Sequence, residues 1–484
     1  MPPEEFRSHA HTVVDWMADY LREVGRYPVL SRVRPGEIRA SLPPRSPSSG
    51  DPFEDLLSDF QQLVLPGITH WNHPGFFGYF SVTGSGPGIL GEMLSAALNV
   101  NGMVWRSSPA VTELEELAAD WLRDLMGLPP GFVGTINDTA SHSSLYALGA
   151  AREAAYPGAR EEGITGGPGG RVYASREAHS SIQKAVMALG LGSRGLVPVG
   201  VDREFRMRPE LLREAIREDR ARGLRPVAVV ATVGTTSTTS VDPVGEVAKV
   251  AREEGVWLHV DAAYAGPAAA APEFREHFAG WEEADSLVVN PHKWLFTPVD
   301  CSLLYVQDEG ALHRAFSLTP EYLRDPGAAA GERPAAAGEE GPRNLMDTGV
   351  ALGRRFRALK LWFVLRYFGA EGIRERIREH VRLARRFAAA VEKEGGWEVV
   401  APVPFSLVVF RYAPEGRSAE EVNSLNLGIA ERVNEGGEVF LTHTRLDDRV
   451  VLRLAVGNLR TRQEHVERAW ELLQEAAAAL ESAG

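Results

Sequence analysis

Three short stretches carry side chains suited to chemistry on a small molecule. Asn290-Pro-His-Lys-Trp294 sets a lysine beside an aromatic ring, Asp261-Ala-Ala-Tyr264 places a carboxylate before two small residues, and Glu177-Ala-His-Ser-Ser181 sets an imidazole before hydroxyls. Each follows directly on an apolar run. A lysine buried against an aromatic gives up its proton more readily, and a neutral amine can attack a carbonyl. Taken singly, each has a plain reading: Lys293 in a salt bridge, Asp261 closing a turn, His179 as an internal imidazole. A fourth stretch, Asp138-Thr-Ala-Ser141, opens a helical pattern that runs to about Ala154. Hydroxyls and unpaired amides at a helix N-terminus can hold a phosphate, although they more often serve as a simple cap. Coincidence of all four at element boundaries is the weaker explanation.

The elements that must position these groups alternate in type. Between about Ser108 and Val306, Arg171 to Ser175, Val227 to Thr232, Trp257 to Val260, Ser286 to Val289 and Ser302 to Val306 read as strands. Ser180 to Leu189, Pro209 to Arg222 and Pro243 to Glu254 read as helices between them. This order predicts an α/β fold, a mostly parallel sheet with helices on both faces. Ligands bind beyond the carboxyl ends of such strands, which gathers His179, Asp261 and Lys293 along one edge. Residues 1–85 form a helical segment, with an amphipathic stretch from Glu4 to Val24 and another from Phe53 to Val64. Residues 86–370 form the large domain. Its breaker-rich stretch 317–349 reads as a mobile active-site loop. Helices from Arg354 to Phe368 and Ile373 to Glu394 lead into a smaller α+β domain, 371–484. Its strands are expected at Ser406 to Tyr412, Val439 to His443 and Val450 to Ala455, with a last helix from Gln463 to Leu480.

Composition removes several classes of function. The chain has 484 residues, of which 44% are hydrophobic and 24% charged, enough apolar material for a sizeable core. Lys plus Arg number 52 against 65 Asp plus Glu, a net charge of −13, the wrong sign for a general grip on nucleic acid. Cys301 is the single cysteine, so no intrachain disulfide or Cys-rich metal site can form. His70 and His73 lack an acidic pair nearby, which favours packing or substrate contact over a metal site. With no basic-then-apolar leader at Met-Pro-Pro-Glu-Glu and no run of about 18 apolar residues, a soluble cytoplasmic protein is expected, with no membrane partner.

A strand-end Asp followed by alanines suits a flat heterocycle that rests on small side chains while the carboxylate meets a positive group at its rim. Pyridoxal 5′-phosphate (PLP) has that shape, with an aldehyde for Lys293, a pyridinium nitrogen for Asp261, a face for His179 and a phosphate for the Thr139–Ser141 helix start. At these residues the chain resembles the PLP-dependent group II decarboxylases, and among them the aromatic-L-amino-acid decarboxylases. Phe76-Phe-Gly-Tyr-Phe80, Ser108-Pro-Ala-Val-Thr-Glu-Leu-Glu115, Gly234-Thr-Thr236, Trp257-Leu-His-Val-Asp-Ala-Ala-Tyr-Ala-Gly266 and Leu352-Gly-Arg-Arg-Phe-Arg-Ala-Leu-Lys360 carry the likeness with the motifs above. It covers nearly the whole chain. The resemblance implies the type I, aspartate aminotransferase-like PLP fold with a seven-stranded sheet, and a homodimer with shared active sites embraced by the N-terminal segment. It further implies that Lys293 holds the cofactor covalently, Asp261 its ring nitrogen, and His179 and Ala263 its two faces. Thr139, Ala140, Ser141, Asn290 and His292 then lie at the cofactor, with Thr236 near the ring substituents. Lys293, His179 and Asp261 are the expected catalytic residues.

The implied reaction is decarboxylation of an aromatic L-amino acid to its amine and carbon dioxide. The expected substrate pocket is Trp71, Phe80, Val82, Asn101 and Met103, where Asn101 and its neighbours depart from the family's residues. A second departure concerns the proton that replaces the carboxylate. The position of the family's loop tyrosine aligns with Leu345, which has no proton to give, while Tyr322 and His179 are possible replacements. Oxidative decarboxylation-deamination to an aldehyde is therefore one alternative, transamination or another PLP lyase reaction a second, and a catalytically silent PLP-binding scaffold a third.

Overall fold

Strands covered on both faces lose the alternation of apolar and polar residues, and Val227–Thr232 is buried at every position. The structure, a computed structural model, describes residues 1–164, 167–318 and 342–483. Seven strands, β1 (Val133–Asn137), β2 (Gly170–Ser175), β3 (Leu196–Val199), β4 (Arg225–Thr232), β5 (Trp257–Asp261), β6 (Ser286–Val289) and β7 (Ser302–Val306), form a sheet in the order β1-β7-β6-β5-β4-β2-β3. Strands β3, β2, β4, β5 and β6 run parallel, while β7 is antiparallel to both β6 and β1. The expected mainly parallel seven-stranded architecture is present.

Two strands escape the sequence reading for physical reasons. Pro198 lies within β3, which is tolerated only because β3 is an edge. β1 holds Gly134 and reads as weakly apolar. A Cβ on Gly134 would stand 2.6 Å from the Ala119 side chain, so the glycine is what lets helix Pro109–Met126 approach the sheet. Helix Ala140–Ala155 packs Leu148 and Ala151 against Val172, Ala228 and Val230 on one side, and Tyr146 and Ala147 against Leu304 and Val306 on the other.

The chain divides into two compact units: Val82–Arg385 with Val400–Val409, and Met1–Ser81 with Arg386–Val399 and Phe410–Gly484. The large sheet belongs wholly to the first. The second contains helix Pro3–Glu23, helix Ala419–Gly436 with a full Ser418/Glu421 capping box, and helix Gln463–Ala483. The C-terminal part carries a four-stranded sheet of β8 (Trp397–Val399), β9 (Leu407–Tyr412), β10 (Thr442–Leu446) and β11 (Arg449–Ala455), in the order β10-β11-β9-β8. β10 starts three residues later than its apolar run, which begins at Val439. The two-residue turn Asp447-Asp448, with Asp447 at φ 51°, pairs Leu446 with Arg449 and so sets the hairpin register. The two helices expected after Arg354 are present as Arg357–Lys393, interrupted at Gly369, whose φ of 61° suits glycine.

The Leu-Gly-Arg-Arg-Phe motif serves the core. Arg354 is buried and donates to Glu115 Oε1 at 2.5 Å and to the Ile136 carbonyl at 2.7 Å, while the Ile136 amide donates to the same carboxylate at 2.8 Å. Removing one partner of a buried ion pair leaves the other charge uncompensated. Arg354→Met is therefore expected to destabilise the protein by about 3–5 kcal/mol, read as a lowered urea unfolding midpoint. An unchanged midpoint would refute this role. Among the described residues, no helix is long and apolar enough to cross a membrane.

Candidate active site

Parallel pairing brings the chemistry together. Asp261 ends β5 beside Thr232 of β4 and Val288 of β6, Lys293 follows β6 by four residues, and His179 follows β2 by four. All three lie beyond the carboxyl ends of parallel strands, where such sheets bind ligands. Lys293 sits in the short helix Pro291–Trp294. Burial depresses its ammonium pKa, and the Asp261 charge opposes that shift. Asp261 is buried and its Oδ1 accepts the Ala263 amide at 3.1 Å, which ties the start of the turn after β5 to the carboxylate.

His179 is exposed on one side yet has enough protein around it that its pKa is lowered, first by desolvation and then by the Lys293 charge. Its Nδ1 meets the Ser181 hydroxyl at 2.8 Å and the Ser181 amide at 3.1 Å, fixing the ring at the start of helix Ser180–Ala188. Thr236 is exposed at the tip of a turn. That turn needs Gly234, at φ 88°, because a Cβ there would press on Ala265 at 2.9 Å.

Helix Ala140–Ala155 begins without a side-chain cap. The Thr139 hydroxyl faces Asp138 Oδ1 at 3.4 Å, and the Thr139 side chain makes no capping bond to the helix's first amides. Ala140 and the exposed Ser141 thus begin a helix whose N-terminus favours negative charge.

Asn290 and His292 supply a test of what fits. His292 Nδ1 accepts the Cys301 amide at 2.9 Å, and burial lowers this imidazole to about 4, so it is neutral with its hydrogen on Nε2. Nε2 stands 3.3 Å from Asn290 Nδ2, and two donors cannot bond. Turning the amide offers Oδ1 to that hydrogen. It also moves the NH2 group to where the amide oxygen is buried without a partner. Asn290 then presents a donor to an acceptor-rich ligand. An uncapped helix start, a buried donor, a depressed lysine and a buried carboxylate together fit PLP.

The expected pocket residues are distributed between the units. Trp71 and Phe80 belong to the unit that begins at Met1. Trp71 stacks on Phe76 at 4.5 Å and on Tyr79 at 5.6 Å, and Phe80 lies 5.5 Å from the Arg453 guanidinium. Val82, Asn101 and Met103 belong to the other. There the Asn101 oxygen accepts the Arg354 amide at 2.9 Å and its NH2 lies 3.8 Å from Met103 Sδ. Asn101 is exposed and keeps a second lone pair and a second N–H beyond these contacts.

Leu345 is an interior residue. It was expected where a proton donor stands over the site, but it is fully buried in the turn Leu345–Thr348. The Met346 amide donates to the Met103 carbonyl at 3.0 Å, and Ser317 Oγ donates to Asp347 at 2.9 Å. Leu345 is packed inward in this chain, and its side chain carries no proton to donate. Tyr322 lies outside the described residues.

Sequence reasoning missed His259, whose one signal was a polar residue inside the apolar run Trp257-Leu-His-Val260. It also missed Asp242, which accepts the Met207 and Thr232 amides at 2.7 and 2.8 Å and is pushed up to about 7 by burial. A groove of about 820 Å³ lies at the opposite, amino ends of β4 and β5, and its Arg252 and Arg220 are tied to Glu283 and Glu254.

A lysine and a carboxylate at the carboxyl edge of this sheet, beside an uncapped helix start, define a PLP-dependent enzyme of fold type I. Residues 35–413 match the model of the pyridoxal-dependent decarboxylase conserved domain. The chain is 41% identical to tryptophan decarboxylase 2 of Oryza sativa subsp. japonica over 99% of its own length and 95% of that protein. It is 39% identical to a phenylacetaldehyde synthase of Arabidopsis thaliana, over 99% and 97%. A crystal structure of Oryza sativa TDC with PLP and tryptamine superposes with a TM-score of 0.94 at 38% identity, covering 99% of both chains. The chain belongs to the pyridoxal-dependent decarboxylase family, group II, and its cofactor is PLP.

Proposed function

We propose that this protein decarboxylates an aromatic L-amino acid to its amine and carbon dioxide. The observation that carries the reading is the half-buried Lys293, its ammonium pKa depressed by desolvation, near the Asp261 charge at the sheet edge. PLP supplies a sink for the electron pair released as carbon dioxide leaves. Asp261 holds a proton on the ring nitrogen, His179 covers one face of the ring and Ala263 lies under the other. Thr139, Ala140, Ser141, Asn290 and His292 surround the phosphate end, with Thr236 near the ring substituents. Lys293 holds the cofactor between turnovers and takes it back when the amine departs. Trp71, Phe80, Val82, Asn101 and Met103 are the residues assigned to contact with the substrate's side chain.

The same reading includes a homodimer that completes the site. Helix Gly86–Leu98 leaves Leu90, Leu94 and Leu98 about half exposed, and helix Pro3–Glu23 buries no residue. Such uncovered apolar surface suits a second copy.

Tryptophan decarboxylase and phenylacetaldehyde synthase match this chain at 41% and 39% identity, so likeness alone does not choose between amine and aldehyde. Leu345 at the aligned loop position keeps aldehyde formation as the second reading, while Tyr322, outside the described residues, and His179 are the side chains proposed as replacement proton donors. Incubation with tryptophan, tyrosine, phenylalanine and dihydroxyphenylalanine is expected to give carbon dioxide and amine without ammonia or peroxide. Tyr322→Phe is expected to shift the products toward aldehyde, ammonia and peroxide. Ammonia and peroxide already dominant in the wild type would replace this reading with aldehyde synthesis.

A further inference from the structure

His259 stands inside β5 two residues before Asp261, on the same face of the strand, and is fully buried. Its Nδ1 lies 2.9 Å from Ser286 Oγ of β6, and its Nε2 lies 3.2 Å from Ser144 Oγ of helix Ala140–Ala155. Ser286 also receives the Trp257 indole N–H at 2.9 Å. One turn of the helix is thereby joined to two strands, one ending in Asp261 and the other leading to Lys293. The adjacent Ser143 joins the same turn to β7 through Ser302 Oγ at 2.9 Å and to β1 through Asn137 at 3.2 Å.

Burial lowers the His259 imidazole to about 4, so it is neutral, with one ring nitrogen donating and the other accepting. A polar ring in the middle of a sheet is costly unless both nitrogens are bonded, and its neighbours Leu258 and Val260 mark what an ordinary core position would hold. Both bonds are made here, and they end on the elements that carry the two ends of the cofactor site. PLP is rigid, so a phosphate seat and a ring-nitrogen anchor hold it well only at a fixed separation.

We propose that His259 is a positioning residue: it locks the helix that offers its first amides to the PLP phosphate to the strand that presents Asp261. This rests on the roles assigned above to Ala140, Ser141 and Asp261. The amide nitrogen of Asn stands near Nδ1 of a histidine, and that of Gln near Nε2. His259→Asn therefore breaks the link to Ser144 and keeps the link to Ser286, while His259→Gln does the reverse.

The test follows PLP loss from the holoenzyme on dilution, by absorbance, beside the unfolding temperature. Ser144→Ala and His259→Asn are each expected to speed PLP loss about tenfold. Their combination should be no faster than either alone, because both remove the same bond. His259→Gln should stay within about threefold of the wild type. Lowered unfolding temperatures with unchanged PLP loss would reduce His259 to packing and overturn the proposal. So would additive effects of the two substitutions. Should His259→Asn fail to fold, Ser144→Ala decides alone, since it removes one oxygen atom. A wild-type protein that holds no PLP would instead defeat the reading of the site itself, a distinguishable outcome.

Discussion

Lys293→Ala is expected to lower turnover at least ~10⁴-fold and to abolish the absorption band of the lysine-bound cofactor, with the far-ultraviolet circular dichroism unchanged. The size follows from what the amine does. In the proposed reaction it would hold the PLP aldehyde at a fixed place and take the cofactor back after turnover, and no neighbouring lysine would stand in. Lys360, a fully buried lysine, is turned to Glu92 at 2.8 Å and Asp300 at 3.9 Å. The fold should tolerate the change, because burial already disfavours the Lys293 charge and its removal relieves that cost. A variant that keeps its band and its activity would show that another group holds the cofactor.

Asp261→Asn is the second large effect, with an opposite signature in the cofactor. PLP should remain attached to Lys293, yet turnover should fall roughly 10³-fold, the scale seen when a charge-stabilising group aimed at a reacting centre is removed. An amide is nearly the same size as the carboxylate and can still accept the Ala263 amide, so the turn after β5 should persist. What it loses is the negative charge proposed to keep a proton on the ring nitrogen. Comparing single-turnover rates with the amount of bound PLP separates this from loss of cofactor. Full turnover in the variant would remove Asp261 from the chemistry.

Much of this was legible in the sequence because strand exits in a parallel sheet advertise themselves. Apolar runs ending in Asp261, Asn290 and Glu177-Ala-His179 identify both the strands and the edge on which the chemistry sits, and the described sheet has those strands within a residue or two. β1 and β3 were hidden because Gly134 and Pro198 answer to helix approach and edge position, which no local apolar pattern records. The start of β10 was hidden because a turn at Asp447 and Asp448 sets the pairing. Leu345 could be aligned to a functional position by its distance from Leu352-Gly-Arg-Arg-Phe, but only packing shows that the position is interior. His259 and Asn290 mark the other limit. Their hydrogen-bond partners come from segments up to 115 residues away in His259 and from a ring whose protonation depends on Cys301, so their meaning exists only once the chain is folded.

Reduction of the wild-type protein with borohydride, followed by peptide mapping, tests the central claim most directly. The account predicts one pyridoxyl group per chain, attached to Lys293 within Asn290-Pro-His-Lys-Trp294. A label on Lys184, Lys249, Lys360 or Lys393 instead, or no label on a protein that decarboxylates amino acids, would contradict it.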